Sequence, residues 1–315
     1  MSAHATPDVV IAGAARCGTS FLAAQLSEHP AIDGGAVKEP EYFSRQFHRG
    51  PEWYESLFQP RREGLLRLDA SMSYTSPRYP EALGRLADMS PDAFAVYAVR
   101  DPLHRAVSHY RLLSQYFTYE RQDTFGDAIR ANPVYLGASD YDRWLTDLHA
   151  AFSADRVLVA PFAVTTRGDE LTTVLYGLLG LDPLPSHSRE VHRHQNEVVE
   201  FRHDAVLRAR RLLKRSGAYP WLRRRLGQHG MRRLRTVLTR RADPLPTDVA
   251  LDSCDDQQKA DIHRLVKASN RAVSTALRAQ DARLGLDWAR AWEGSIASDP
   301  RPGDPGGEEP RARRS

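Results

Sequence analysis

Apolar residues in the first half of the chain form short runs that alternate with helical patterns. The runs at 9–12 and 93–99 are almost continuous, which is typical of parallel strands buried on both faces. Shorter runs at 65–68 and 157–160 predict two more strands. Strands that alternate with helices indicate βαβ units. We therefore predict an α/β fold, with a doubly wound parallel sheet flanked by helices.

Helical patterns fill the intervals between these runs and dominate the end of the chain. Helices are predicted over 21–27 and 80–88, and another is expected to end near 179–180. Asp101 is expected to cap a helix whose first turn contains Pro102. From about residue 197 the pattern predicts helix throughout, with helices over 197–214 and 255–278, which makes the C-terminal part helical.

The same patterns predict the domain organisation. Residues 8–295 are expected to form a single domain, to which the helical C-terminal part contributes. Residues 296–315 are rich in proline, glycine and charge, especially from residue 299, and are expected to be a disordered tail.

The positive charge of the chain is concentrated in one segment. The net charge is +4, but residues 201–241 contain fourteen Lys/Arg and a single acid, Asp204, leaving 30 basic and 39 acidic residues elsewhere. Such segments often contact acidic substrates or anionic membrane surfaces, and this contact stays open beside the favoured interpretation, a solvated helix face. Nucleic acid is not among the expected partners.

Cysteine use and the N-terminus bear on the compartment. The two cysteines, Cys17 and Cys254, predict neither a disulfide framework nor a cysteine-based metal site. Residues 1–8 lack the pattern of a signal peptide, and no apolar run approaches the ~20 residues of a membrane span. These features predict a cytoplasmic protein.

A glycine-rich loop follows the first predicted strand. Residues 13–20 read G-A-A-R-C-G-T-S, with the glycine spacing of a P-loop but with Thr19 in the place of its lysine. The loop and the helix after it direct backbone N–H groups towards a bound anion. Because the missing lysine would reach β- and γ-phosphates, a nucleotide other than a triphosphate is predicted, with Arg16 supplying charge. The alternative is a turn that only lets strand and helix pack closely.

A second anion-binding segment is predicted after the strand at 93–99. Arg100 ends this strand, and Ser108 lies about two turns into the next helix. Because ligands bind at the carboxyl ends of parallel strands, this guanidinium and hydroxyl are expected to hold a second anion near the loop. An ordinary salt bridge of Arg100 with Asp101 or Asp69 is the alternative. Two anion sites predict a ligand with phosphate at two separated points.

Together these segments resemble the sulfotransferases that use 3′-phosphoadenosine 5′-phosphosulfate (PAPS). The loop is similar to their 5′-phosphosulfate loop, and residues 100–110 match their R-D-P-x-x-R-x-x-S-x-Y motif at every fixed position. Residues 38–43, K-E-P-E-Y-F, resemble the K-E-P-x-F-F segment of the carbohydrate (heparan-like) branch, and 69–71 its E-K-S segment. The resemblance spans about residues 8–185, with a weaker similarity at 284–292.

The resemblance implies a P-loop-like fold and specific roles for nine residues. Glu39 would be the general base, Lys38 would neutralise charge at the bridging oxygen, and Arg16 would assist catalysis. For Glu39 the alternative is a solvated surface pair with Lys38. The implied nucleotide-binding residues are, for the 5′-phosphate and sulfonate, Arg16, Cys17, Gly18, Thr19 and Ser20, and, for the 3′-phosphate, Arg100 and Ser108.

The chain departs from the pattern of these sulfotransferases at four places, the first of which is Arg16, where many relatives have lysine. Glu41 stands where the heparan-like branch often has histidine, and Ala70 replaces the lysine of the E-K-S segment. No K-G-R-type loop is found, and residues 192–196 occupy its place in chain order. At position 70 one contact to the substrate or to the sulfonate is therefore missing, whereas Arg16 keeps the positive charge of the phosphate loop.

The implied activity is sulfonate transfer from PAPS, with release of adenosine 3′,5′-bisphosphate (PAP), to a carbohydrate or glycosylated small-molecule acceptor. A hydroxyl is the expected acceptor group and an amine the second choice. No metal is expected, because a sulfonate carries less charge than a γ-phosphate and the histidines lack metal-ligand spacing. Two other classes stay open: a P-loop kinase acting on a small molecule, and a non-catalytic protein that binds polyanions or membranes through 201–241.

Overall fold

The sheet at the centre of the molecule has five parallel strands. The computed structural model describes residues 6–117, 120–166, 169–184, 199–201, 239–241 and 245–297. The strand order is β2-β3-β1-β4-β5, with every neighbouring pair parallel. The predicted α/β class is therefore confirmed. The strands are β1 Val9–Gly13, β2 Ile32–Asp33, β3 Leu66–Asp69, β4 Phe94–Val99 and β5 Val157–Pro161.

Helices cover both faces of this sheet and its β5 edge. Those of the first half are α1 Thr19–Leu26, α2 Pro51–Glu55, α3 Ala82–Met89, α4 Pro102–Arg111, α5 Phe125–Ala131, α6 Val134–Gly137, α7 Tyr141–Ala151, α8 Phe162–Thr166 and α9 Glu170–Leu178. The C-terminal helices are α10 Thr247–Asp252, α11 Asp256–Leu284 and α12 Trp288–Ala297. None of the helices in the described ranges has both the length and the apolar character needed to cross a bilayer.

The core lies between the sheet and these helices. Every residue of β1, β4 and β5 is buried, as their continuous apolar runs predict. The C-terminal helices belong to the same core, since Leu277 of α11 and both Trp288 and Trp292 of α12 are buried in it. The predicted helical C-terminal part is thus present in the described range 245–297.

The long helix α11 shows how local signals and packing set helix limits. Asp255 and Gln258 form a reciprocal capping box at its start, where the sequence predicts the helix to begin. It ends at Leu284, six residues beyond the predicted 278, and is followed by Gly285, which adopts the left-handed conformation with φ of 70°. Packing of Gln280 against the sheet sustains this extension, which periodicity alone does not predict.

Two predictions about the end of the chain are corrected. The helix predicted throughout from residue 197 is wrong at β6 Val199–Phe201 and β7 Thr239–Arg241, which form an antiparallel pair. The valine–glutamate–phenylalanine alternation of β6 has the period of a strand, and it outweighs the longer helical pattern. Most of the predicted helix 197–214 and of the basic segment lies outside the described residues.

Helix α12 continues through the predicted tail start at 296 because Ile296 packs on the core; residues 298–315 are not described.

Gln280 closes the open edge of the sheet. Its Oε1 accepts a hydrogen bond from the Val159 N–H at 2.8 Å, and its Nε2 donates to the Val159 carbonyl at 3.0 Å. The amide therefore replaces a missing neighbouring strand at β5.

We expect Gln280→Ala to destabilise the protein by about 3 kcal/mol, because it leaves a buried N–H and a buried C=O without partners. Urea unfolding measures this change. Gln257→Ala on the exposed face of the same helix is the control and should cost no more than about 0.5 kcal/mol. Equal losses for the two variants would contradict the role given to Gln280.

Candidate functional site

Three loops meet at the carboxyl edge of the sheet. Strand β1 lies between β3 and β4, so the segments that follow these three strands are neighbours. They are the glycine-rich loop at 14–18, the segment at 70–75 and the start of α4 at 100–102. Open parallel sheets bind ligands at such a position. The structure therefore brings the sequence-predicted segments to one edge.

The glycine-rich loop has the backbone of a binding loop. Gly18 has φ of 86°, and a Cβ there would lie 2.9 Å from the Thr166 Cγ2 and 3.0 Å from the Thr165 Cγ2 of α8. Only glycine fits this position, both in conformation and in space. Arg16 is a non-glycine residue with φ of 75°, a strained conformation of the kind that concentrates at functional sites.

Helix α1 begins directly after this loop. It has no side-chain cap and no acidic residue in its first turn. Its N-terminus therefore keeps the partial positive charge of the helix dipole for a ligand. Such a terminus beside a glycine-rich loop is suited to an anion.

Arg16 joins the two predicted anion-binding segments. Its Nε donates a hydrogen bond to the Ser108 Oγ of α4 at 3.0 Å. Burial, followed by the positive charge of Arg100, lowers the pKa of Arg16 to about 10. Neither Arg16 nor Arg100 forms an ion pair with a carboxylate of the described residues. An anion between these cations would relieve their repulsion.

Arg100 is held at the end of β4 by aromatic neighbours. Its Cζ lies 4.7 Å from the centroid of the Phe162 ring, and the Tyr141 hydroxyl donates to its carbonyl at 2.8 Å and accepts from its N–H at 3.2 Å. The alternative salt bridges are absent from the described residues, because Asp101 caps α4 and Asp69 accepts bonds from hydroxyl groups. The guanidinium is therefore not neutralised by either carboxylate.

Arg105 supports the loop from inside the protein, a role that the sequence analysis did not assign. It is fully buried; its Nη1 donates to the Ala15 carbonyl of the loop at 3.4 Å, its Nε to the Ser139 Oγ at 2.5 Å, and its Nη2 to the Tyr135 carbonyl. Burial lowers the pKa of Arg105. Its fixed place in the R-D-P-x-x-R motif was the available signal.

The remaining loop residues differ in what they offer to a ligand. The Cys17 thiol is buried within 3.8 Å of the Tyr141 hydroxyl, and the Cys17 N–H is bonded to the Ala14 carbonyl. Contact of Cys17 with the nucleotide therefore has little geometric support. Thr19 and Ser20 open α1, and the Ser20 Oγ accepts a hydrogen bond from Lys38 at 2.8 Å.

Lys38 and Glu39 stand beside this loop. The Lys38 Nζ lies 3.8 Å from the Glu39 Oε1, and the side chains are 54% and 27% exposed respectively. Burial is the main cause that raises the pKa of Glu39; Glu41 acts in the same direction, and Lys38 opposes both. Glu39 is thus a shielded carboxylate rather than a freely solvated one, which strengthens its candidacy as a base.

Glu41 and Ala70 occupy the positions that depart from the heparan-like branch. The Glu41 carboxylate lies 3.4 Å from the Arg45 Nη1, four residues later in the chain. Ala70 is partly buried and packs against the core. Neither residue supplies the cationic side chain found in that branch, so the acceptor side of this site has its own chemistry.

The sequence model of the Sulfotransferase family matches residues 40–165. This range contains the Arg100–Ser108 segment and begins one residue after Glu39. The family resemblance inferred from the motifs is therefore confirmed over this part of the chain.

Curated relatives match a similar part. Mouse heparan sulfate glucosamine 3-O-sulfotransferase 3A1 is 36% identical over 104 residues, which are 33% of this chain and 26% of that protein. Human heparan sulfate glucosamine 3-O-sulfotransferase 6 is 36% identical over 152 residues, 44% of this chain and 43% of that protein. A membrane-associated sulfotransferase of Dictyostelium discoideum, kil1, is 29% identical over 113 residues, 35% of this chain and 24% of that protein. The chain thus spans about a quarter of the length of two of these relatives and less than half of the third.

A solved structure supports the fold. The crystal structure of a sulfotransferase from Alicyclobacillus acidocaldarius superposes with a TM-score of 0.51 at 24% identity, covering 61% of this chain and 87% of that chain. This likeness concerns the fold alone, and it agrees with the P-loop-like sheet described above.

Proposed function

We propose that this protein is a PAPS-dependent sulfotransferase that acts on a hydroxyl group of a carbohydrate or glycosylated small molecule. The observation that carries the proposal is the convergence of three motif segments through two hydrogen bonds. Arg16 of the loop bonds to Ser108 of α4, and Lys38 of the K-E-P segment bonds to Ser20 of α1. Two anion-binding segments and a candidate base therefore surround one space.

The residues present fit a nucleotide with phosphates at two points. The N-terminus of α1, with Gly18, Thr19, Ser20 and Arg16, would hold the 5′-phosphate and sulfonate. Arg100 and Ser108 would hold the 3′-phosphate. Because Arg16 contacts Ser108 directly, the two anion-binding segments are close enough to bind the two phosphates of one ligand. The assignment is supported by Arg16 and Arg100, because neither guanidinium group has a carboxylate partner among the described residues and a phosphate would neutralise their charge.

The chain's own residues would carry the transfer in one in-line step. PAPS supplies an activated sulfonate when bound. Glu39 accepts the proton of the acceptor hydroxyl while the new O–S bond forms and the S–O bond to the bridging phosphate oxygen breaks. Lys38 and Arg16 neutralise the negative charge that develops on that bridging oxygen. Positioning and charge stabilisation thus account for the chemistry, as in phosphoryl transfer.

The carbohydrate class of the acceptor is supported by the relatives, whose names specify heparan sulfate as their substrate. Contact of an acidic substrate or anionic membrane surface with the basic segment 201–241 stays a prediction from charge. A cytoplasmic location and a lack of metal dependence are likewise predictions. Among the described residues no group of three or more His, Cys, Asp and Glu side chains is placed to hold a metal ion.

Transfer of labelled sulfonate from PAPS to a panel of glycosides and oligosaccharides tests the proposal directly. In parallel, calorimetry compares the binding of PAP with that of ADP and Mg²⁺. We expect sulfated product and tighter binding of PAP, because Thr19 stands in the place of the P-loop lysine that reaches β- and γ-phosphates. Tighter binding of ADP with Mg²⁺, together with no sulfated product, would favour a kinase.

The pH dependence of the reaction should report the environment of Glu39. Since burial raises the pKa of Glu39, kcat/KM should fall on the acidic side at a pH above 4.5, the ordinary value for glutamate. Glu41→Gln removes a neighbouring negative charge, so it should move this limb to lower pH by about half a unit. Lys38→Met removes the positive charge that lowers the pKa of Glu39, so it should move the acidic limb to higher pH.

A pH series of initial rates measures these shifts. Glu63→Gln, an exposed carboxylate near the start of β3 at the opposite edge of the sheet, is the control and should leave the limb in place. A limb that moves in the same direction in the Glu41 and Lys38 variants would show that a group other than Glu39 titrates.

A further inference from the structure

A buried carboxylate lies directly beneath the K-E-P segment. Asp69 ends β3 and is completely buried. Its Oδ2 accepts hydrogen bonds from the hydroxyls of Tyr54 at 2.7 Å and Tyr74 at 2.6 Å, and its Oδ1 accepts one from the Ser71 Oγ at 2.6 Å. No cation of the described residues forms an ion pair with it. Three donors facing one carboxyl group identify Asp69 as a hydrogen-bond acceptor for its neighbours.

Ser71 connects this carboxyl group to the candidate base. Its Oγ donates its only proton to Asp69 and accepts a hydrogen bond from the Glu41 N–H at 2.9 Å. Because a hydroxyl has a single proton, Asp69 determines its direction and leaves a lone pair facing Glu41. The fixed orientation of the Ser71 hydroxyl therefore fixes the position of the Glu41 backbone, two residues after Glu39.

The backbone of the K-E-P segment needs such support. Glu39 has φ of 57° and Glu41 has φ of 52°, with the buried Pro40 between them. Left-handed conformations of non-glycine residues cost about 1–2 kcal/mol each. Two of them so close together persist only when contacts outside the segment hold them.

The aromatic residues around Asp69 supply the second contact. Tyr42 stacks on Tyr54 with ring centroids 4.5 Å apart, and Phe43 packs edge-on against Tyr54 and Tyr74, each at 5.5 Å. The two tyrosines that donate to Asp69 therefore also hold the residues that follow Glu41. Two anchors of the segment, the Glu41 N–H and the rings of Tyr42 and Phe43, therefore lead back to the same carboxyl group.

We propose that Asp69 and Ser71 form a positioning pair that holds Glu39 in the geometry for proton abstraction. The proposal rests on the function assigned above. Neither residue takes part in bond making: Ser71 holds the Glu41 N–H, and Asp69 holds Ser71.

Two single substitutions separate positioning from stability. Ser71→Ala and Tyr54→Phe each remove one buried hydrogen bond to Asp69, but only Ser71→Ala disconnects Glu41. We expect Ser71→Ala to lower kcat roughly 10- to 100-fold with the Kd of PAP unchanged, because a small misplacement of a reacting group is costly. Tyr54→Phe should lose a similar amount of thermal stability and keep kcat within about twofold. Equal losses of kcat in the two variants would overturn the proposal.

Hydrogen–deuterium exchange needs no substrate, so it tests the positioning pair independently of enzymatic activity. Hydrogen–deuterium exchange of a peptide covering residues 36–44 should be faster in Ser71→Ala and in Asp69→Asn, and unchanged in Tyr54→Phe. If Asp69→Asn does not fold, Ser71→Ala decides the question. Unchanged exchange in Ser71→Ala would refute the positioning pair, even if the wild-type protein transfers sulfonate. Faster exchange in a protein that transfers none would support the pair and refute the proposed function.

Discussion

Glu39→Gln is expected to lower kcat for sulfonate transfer by roughly 10²- to 10⁴-fold, the usual contribution of a positioned general base. The amide keeps the size of the side chain but cannot accept the proton of the acceptor hydroxyl. Since Glu39 contacts Lys38 rather than Arg16 and Arg100, the residues proposed to bind the nucleotide, the Kd of PAP should stay within about twofold of the wild-type value. Initial rates with labelled PAPS and calorimetry with PAP measure the two quantities.

The control for this variant is Glu81→Gln. Glu81 is an exposed glutamate before α3 whose side chain makes no capping hydrogen bond, so both kcat and Kd should be unchanged. A Glu39→Gln protein with full activity would exclude Glu39 as the base. A parallel loss of PAP binding would mean instead that the substitution disturbs the phosphate loop.

Arg100→Ala should weaken PAP binding by roughly 10- to 100-fold, or about 1.5–3 kcal/mol, which is the range for hydrogen bonds to a charged group. The guanidinium is held over Phe162 and has no ion pair among the described residues, so its removal would leave the proposed 3′-phosphate site without its main cation. The loss should be smaller for a ligand that lacks the 3′-phosphate, such as adenosine 5′-phosphosulfate. Calorimetry with both ligands gives the difference.

Arg156→Ala is the matched control for Arg100. Arg156 is a half-exposed arginine just before β5, at the amino edge of the sheet, opposite to the proposed site. Its loss should leave the Kd of both ligands unchanged. If Arg100→Ala weakens both ligands equally, Arg100 holds the phosphate that they share, and the assignment of the two anion sites must be reversed.

Much of the fold could be read from local patterns. All four predicted strands begin and end within one residue of the observed ones, since a strand buried on both faces needs a continuous apolar run. The cap at Asp101 and the glycine loop are also local, because each depends on residues adjacent in the chain. The motif positions Arg16, Glu39, Arg100 and Ser108 could be named for the same reason.

Contacts between distant residues could not be read in this way. The two-residue strand β2 depends on its pairing with β3, and the strand pair β6–β7 joins segments about forty residues apart. The buried role of Arg105 depends on carbonyls and a hydroxyl that other loops bring to it. None of these long-range contacts produces a periodic pattern in the sequence from which it could be predicted.

The candidate site shows the same division. Residue types and spacing alone predict two candidate anion-binding segments and a candidate catalytic carboxylate, because the chemistry of each group is a property of its own side chain. Three features arise only in the folded chain: the proximity of these groups at one edge of the sheet, the raised pKa of Glu39, and the support that Asp69 and Ser71 give to the K-E-P segment. Burial and proximity are properties of pairs of residues far apart in sequence, so tertiary packing alone decides them.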